Sequence, residues 1–249
     1  FLPRMLDVPG KSNGAWMEYF WWEVRNFGYQ SPYIAEMTNL DWLLLDLLAN
    51  RAGLPLHRFL GADRDWAAVY KGGGSVLLSD EALIQDLQRF KDEGYQTTKF
   101  KIGGSGAGFS QDIRRLEKAR RALGDDFGIA VDANQAWDAK TAFAFAKEAA
   151  PFGVAWLEEP VHAYDMDALR ELRDLLDNAG IVMEIAMGES VRSYHTHVAY
   201  AQHGVDHLQP ARLCCIAENM RVREYARQHG CRISTGGFTF QNAALGALY

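Results

Sequence analysis

Cysteine is scarce in this chain: three in 249 residues, Cys214, Cys215 and Cys231. An odd, sparse set cannot staple a chain of this size, which argues against a disulfide framework and for a reducing, cytoplasmic setting. Dense Lys/Arg clusters are missing, and 26 Lys+Arg against 32 Asp+Glu leave a net charge of -6, so a nucleic-acid partner is not expected. The longest apolar run, LDWLLLDLLA at 40–49, is interrupted by Asp41 and Asp46. It is too short to cross a bilayer and reads as a buried helix, so no membrane association is expected. Residues 1–20 hold no signal-peptide core, because Asp7, Pro9, Lys11 and Glu18 break it. No dinucleotide or P-loop fingerprint opens a helix; GGSGAG at 103–108 lacks the required spacing and reads as a flexible loop rather than a phosphate site. No His–His or Cys spacing suggests zinc. The chain begins at Phe1 and ends inside the apolar run NAALGALY, which reads as a fragment of a longer protein.

What is present is a rhythm. From about residue 66, short apolar runs alternate with amphipathic helices. The strands are read at AAVYKG (67–72), TTKFKI (97–102), GIAVDA (128–133), VAWLEE (154–159), IVMEIAMGE (181–189), VDHLQP (205–210) and CRIS (231–234). Between them, Ser79 caps a helix with Leu83, Leu87 and Phe90 on one face, and Ser110 caps one carrying Ile113, Leu116, Arg120 and Leu123. Further helices are expected over 138–150, 165–180, 194–202 and 216–229. Seven β-α steps with short connections mean a parallel sheet flanked by helices, first as a closed (β/α) barrel and second as a doubly wound sheet. Residues 1–65 are aromatic-rich at 16–24 and then helical, and read as part of a smaller domain; the barrel takes 66–249.

In a parallel barrel, functional groups sit at the C-terminal ends of strands. The second strand offers Lys99 and Lys101, two apart and so on one face, roughly 7 Å from each other. The next three strands end in Asp132, Glu158 (with Glu159) and Glu189. Three converging carboxylates repel one another unless a cation lies among them, and a hard divalent ion such as Mg2+ suits an all-oxygen set. A metal facing a lysine suits removal of a proton alpha to a carboxylate. A lysine beside a second cation is expected to have a lowered pKa and to act as a neutral base.

Lys-x-Lys, Asp-x-Asn, Trp-x-Glu-Glu-Pro and Gly-Glu, in this order and one strand apart, resemble the enolase superfamily, nearest the mandelate racemase and sugar-acid dehydratase branch. The resemblance covers roughly 35–249 and implies a TIM-type modified (β/α)7β barrel with the remnant of an α+β N-terminal capping domain. It implies Asp132, Glu158 and Glu189 as Mg2+ ligands and Lys101 as base. Lys99 would tune that base and touch the substrate carboxylate, and Asn134 would lie beside the substrate. The implied reaction is dehydration of a sugar acid or other 2-hydroxy acid through an enediolate. A racemase or epimerase, and a catalytically silent metal- or carboxylate-binding barrel, are the alternatives. The partner is a small-molecule carboxylate, and a homo-oligomer is expected.

The match fails on one wall. Where that branch carries Asp on the sixth strand and His on the seventh, this chain has Ala211 and Thr235 or Gly236, and no His occurs between 230 and 249. Missing residues, one-base chemistry and lost activity each account for this. Glu159 reads as a substrate-side residue, a partner behind the site or a helix cap. Lys71 reaches substrate or is solvated. His195 and His197 read as surface or substrate-loop residues, His162 as a loop residue, and Cys214–Cys215 as inert helix-entry residues. The aromatic cluster at 16–27 suits a lid, an oligomer contact or core packing.

Overall fold

The computed structural model describes residues 13–28, 32–104, 108–210, 214–236 and 239–249. Their contacts divide into two units, one within 68–187 and 199–208, the other within 1–67, 188–198 and 209–249. In chain order, the latter opens with helices α1 (Asn13–Val24), α2 (Pro32–Arg51) and α3 (Leu56–Phe59). Phe20 and Val24 of α1 are buried with Ile34 and Met37 of α2, so part of the aromatic segment is core. Trp22 and Phe27 are exposed. The run at 40–49 is helical but not buried throughout. Trp42 and Ala49 are covered, whereas Leu43 is 66% and Leu47 55% exposed, because only one stripe of α2 meets a neighbour. Asp41, which interrupts the run, accepts from the Ile216 amide at 2.8 Å.

The other unit carries the alternating pattern: β1 (Lys71–Gly73), α4 (Asp80–Asp92), β2 (Thr97–Lys101), α5 (Ser110–Leu123), β3 (Gly128–Asp132), α6 (Ala139–Ala149), β4 (Val154–Glu158), α7 (Met166–Asn178) and β5 (Ile185–Met187). After α8 (Tyr194–Gln202) comes β6 (His207–Leu208). Neighbours pair in parallel and in chain order from β1 through β6. A doubly wound sheet reverses its strand order at a switch point, and no reversal occurs among these strands. The order is that of a singly wound barrel wall. The remaining elements are α9 (Ile216–His229), β7 (Arg232–Ile233) and α10 (Thr239–Leu248).

Local chemistry accounts for the helix limits. Ser79 accepts from the Ala82 amide at 3.2 Å, Asp138 from Thr141 at 2.7 Å and Asp165 from Ala168 at 2.9 Å. Leu83, Leu87 and Phe90 are buried as their spacing requires. Ser110 is not a cap: it is the first helical residue of α5, Phe109 holds the cap position, and no side-chain cap bond forms. Arg120 shares α5 with Ile113, Leu116 and Leu123 but does not pack as they do. Its guanidinium instead donates to the carbonyls of Phe127 at 2.6 Å, Gly124 at 2.7 Å and Phe152 at 2.8 Å, tying the helix end to the turns before β3 and β4. Strands β1 and β5 are shorter than their apolar runs, covering only Lys71–Gly73 and Ile185–Met187. Replacing Ser79 by Ala should cost about 1 kcal/mol in urea unfolding, and Ser110→Ala should cost less than about 0.5 kcal/mol.

Candidate active site

The strand register assembles the charged groups. Lys101 lies beside Asp132, and Asp132 beside Glu158, across β2, β3 and β4. Adjacent strands are about 4.8 Å apart, so these three form one row. Lys99 shares their face two residues earlier. Residues of opposite parity, Phe100, Val131 and Leu157, are fully buried apolar side chains. Lys71 is in register with Thr98 rather than with Lys99, and its ammonium lies over the rings of Phe90 and Tyr95, at 5.5 and 5.4 Å. It is not among the residues lining the cavity beside Lys99 and Lys101, nor is it simply solvated.

Two cations on one strand are tolerated because two anions interleave with them. Lys99 Nζ donates to Glu158 Oε1 and lies 3.2 Å from Asp132 Oδ2. Lys101 Nζ donates to the same Asp132 oxygen at 2.5 Å. Asp132 Oδ1 accepts from the Asn134 amide at 2.9 Å, and Glu158 Oε2 accepts from the Trp156 indole at 3.1 Å. Both carboxylates are fully buried, the Lys99 side chain is 11% exposed and that of Lys101 36%. Burial pushes the Asp132 carboxyl up, but Lys99 and Lys101 outweigh it and hold it below the usual range. Burial likewise works against the Lys99 ammonium, yet Glu158, aided by Asp132, holds it above the ordinary lysine value. Lys99, read as the residue that tunes the base, is thus held as a cation, because its nearest charges are anions.

Lys99, Lys101 and Asn134 line a cavity of about 830 Å³. Glycines also line it: Gly72, Gly73 and Gly74 lead into Ser75 and Val76 along one segment, and Gly103 and Gly104 follow Ile102 on another. Gly72 is in register with Lys99, and open space lies where its Cβ would be. Gly74, at φ +62°, could not carry one, since a Cβ would come within 2.5 Å of the Phe100 Cβ.

Asn134 and Gln135, just beyond β3, and Glu159, just beyond β4, have φ of 45°, 66° and 41°. Each left-handed non-glycine residue costs on the order of 1 kcal/mol or more, so the surroundings must impose it. Gln135 does much of this. Its amide donates to the Glu159 carbonyl at 2.7 Å, its side-chain NH2 to Glu159 Oε2 at 3.1 Å, and its side-chain oxygen accepts from the Ala163 amide at 2.9 Å. Glu159 is thus buried against Gln135, a partner behind the turn, and is not among the residues lining the cavity. Gln135 was not singled out from sequence, and Trp156 entered only as part of the Trp-x-Glu-Glu-Pro motif; the packed strand ends reveal their partners.

Glu189 belongs to the other unit. A Cβ at Gly236 would stand 3.4 Å from Glu189 Oε2, so the residue in the expected His position borders this carboxylate. Ala211 lies outside the described residues, as do 105–107 of the Gly-rich loop. Among the described residues, no three His, Cys, Asp or Glu side chains form a group that could hold a metal. The donors of the Asp132–Glu158 pair nevertheless fit a hard cation: they are buried carboxylate oxygens, and the Lys99 ammonium already stands against both.

The paired histidines separate. His195 is exposed, but His197 is fully buried, contrary to a surface reading. Its Nδ1 is 2.8 Å from the Ser193 carbonyl, and its ring fills the space a Cβ on Gly188 would need, 2.7 Å from Nε2. Cys215 precedes α9 without a side-chain cap bond, and burial raises the Cys214 thiol far up and that of Cys215 to about 11, in keeping with inert thiols. Burial lowers the His197 pKa from 6.5 to about 4. The folded state therefore disfavours the proton: stability is complete above pH 6.5 and declines as pH falls toward 4, by up to about 3 kcal/mol. Urea titrations should show wild type losing more stability than His197→Phe between pH 7 and 4.5, and a pH-independent difference would contradict this.

Residues 82–248 match the family described as Enolase C-terminal domain-like. The L-talarate/galactarate dehydratase of Salmonella typhimurium is 32% identical over 217 residues, 86% of this chain and 53% of that protein. The L-Ala-D/L-Glu epimerase of Bacillus subtilis is 31% identical over 140 residues, 55% of this chain and 37% of that one. The structure of L-talarate dehydratase from a Polaromonas species, complexed with Mg and L-glucarate, has a TM-score of 0.83 at 28% identity, covering 94% of this chain and 65% of that one. The chain spans about half the length of the Salmonella dehydratase.

Proposed function

We propose that this chain, which belongs to the enolase superfamily through residues 82–248, removes the proton alpha to a carboxylate and dehydrates a sugar acid. The observation that carries the reading is the row of Lys101, Asp132 and Glu158, with Lys99 set against both carboxylates. Lys101 is the more exposed lysine and lines the cavity, so it takes the proton. Lys99, deeper and cationic, faces the substrate carboxylate and sets the field around Lys101. Asn134, held left-handed at the cavity edge, lies beside the substrate. Glu159 supports that edge through Gln135.

Asp132, Glu158 and Glu189 would hold Mg2+, which supplies positive charge to stabilise the enediolate oxygens. The same two carboxylates also pair with the lysines, so a metal bound there would share them with Lys99 and Lys101. Dehydration is favoured over racemisation because a racemase needs groups on both faces of the alpha carbon, and the β7 end offers Thr235 and Gly236. The relatives named for sugar-acid dehydration and for epimerisation support this range of chemistry. The same reading takes 1–65 as part of a capping domain on a barrel of 66–249. It places the protein in the cytoplasm, in keeping with its free cysteines, and as a homo-oligomer, in keeping with exposed Trp22 and Leu43.

Deuterium exchange from solvent into the alpha position of acid sugars, with Mg2+ present, tests this. Lys101→Ala should lower exchange by about 100-fold or more. Chelating the metal should abolish it, and added Mg2+ should restore it. Exchange that persists at the wild-type rate in Lys101→Ala would rule out Lys101 as the base.

A further inference from the structure

Helix α5 places two buried charged side chains in its first turns, outside the lysine–carboxylate row. Asp112 and Arg115 are 2% and 1% exposed. Each reaches a different wall of the cavity. Arg115 Nη2 donates to the Ser75 carbonyl at 2.8 Å and Nη1 to the Val76 carbonyl at 3.3 Å, on the segment after β1. Asp112 Oδ2 accepts from the Gly103 amide at 3.0 Å, on the segment after β2. Ser75, Val76, Gly103 and Gly104 all line the cavity. The two walls also touch, since a Cβ on Gly104 would lie 2.6 Å from Val76.

We propose that Asp112 and Arg115 are positioning residues that clamp these walls together and so set how tightly the cavity holds an acid sugar. Burying a carboxylate and a guanidinium generally costs more than their attraction returns, so such groups are explained by what they hold rather than by stability. Burial indeed pushes the Asp112 carboxyl up and the Arg115 guanidinium down. Arg115 also occupies two carbonyl oxygens that, turned inward, would repel a substrate carboxylate near Lys99 and Lys101. Gly103, at φ +78°, and Gly104 have no side chains to hold their backbone in place, so the Asp112 contact supplies the anchor.

The role in substrate binding rests on the function proposed above, whereas the clamp itself is read without substrate. Amide exchange of Gly103 in the full chain should speed up about 10-fold or more in Asp112→Ala, with α5 amides unchanged. With a substrate, KM should rise about 10-fold while kcat stays within about 3-fold. Asp112→Asn, which keeps an oxygen for the Gly103 amide, should restore most of both. Unchanged Gly103 exchange in Asp112→Ala, a loss confined to kcat, or an Asn variant as impaired as Ala would each overturn the proposal. If wild type acts on no acid sugar, the proposed function fails, and Gly103 exchange still decides the clamp. Should Asp112→Ala not fold, Arg115→Lys, which puts a single ammonium in place of the two guanidinium nitrogens on the Ser75 and Val76 carbonyls, is compared with wild type by exchange at Leu77 and Leu78 and by KM, with the same contrary results.

Discussion

Two buried carboxylates cannot both stay ionised side by side at a strand end without positive charge between them. Asp132 and Glu158 are fully buried neighbours in register, and Lys99 and Lys101 supply that charge. The rest of the site follows from this requirement. The carboxylates must come from consecutive strands at one level, which demands parallel pairing in chain order. The lysines must come from the preceding strand at spacing two, so that both ammoniums face the same way. Each carboxylate also needs a second donor, and the Asn134 amide and the Trp156 indole provide it.

The same requirement explains a costly backbone. The turns after β3 and β4 hold three non-glycine residues at positive φ, and Gln135 locks one turn to the other. Strain of this kind persists only where surrounding bonds over-determine it, and it gathers at sites of function. Five glycines also line the cavity, and Arg115 and Asp112 bond to the backbone beside and within those segments, at Ser75, Val76 and Gly103.

Much of this was legible in the sequence where chemistry is local. Ser79 with Leu83, Leu87 and Phe90 announced α4, and the carboxylates closing two successive apolar runs announced the Asp132–Glu158 pair. The enolase-superfamily resemblance rested on motifs one strand apart and is matched by the family over 82–248. What failed depends on tertiary partners. Nothing near Ser110 says that Phe109 holds the cap position. An arginine on a helix face does not reveal that it will bind carbonyls beyond the helix end, as Arg120 does. His195 and His197 look equivalent until α8 turns one outward and the other against Gly188. Asp41 looked like a break in an apolar helix, and its role lies 175 positions away, at Ile216. That Lys99 pairs with the carboxylates of the next two strands also shows only in the packed structure.

The central claim is that the carboxylates carrying the lysines are those that bind the divalent ion. Calorimetric Mg2+ titration of two adjacent single-charge variants tests it most directly. Glu158→Gln should weaken Mg2+ binding by about 10-fold or more, while Glu159→Gln, whose carboxylate bonds Gln135, should stay within about 3-fold of wild type. Equal losses in both variants, or none in Glu158→Gln, would contradict the account.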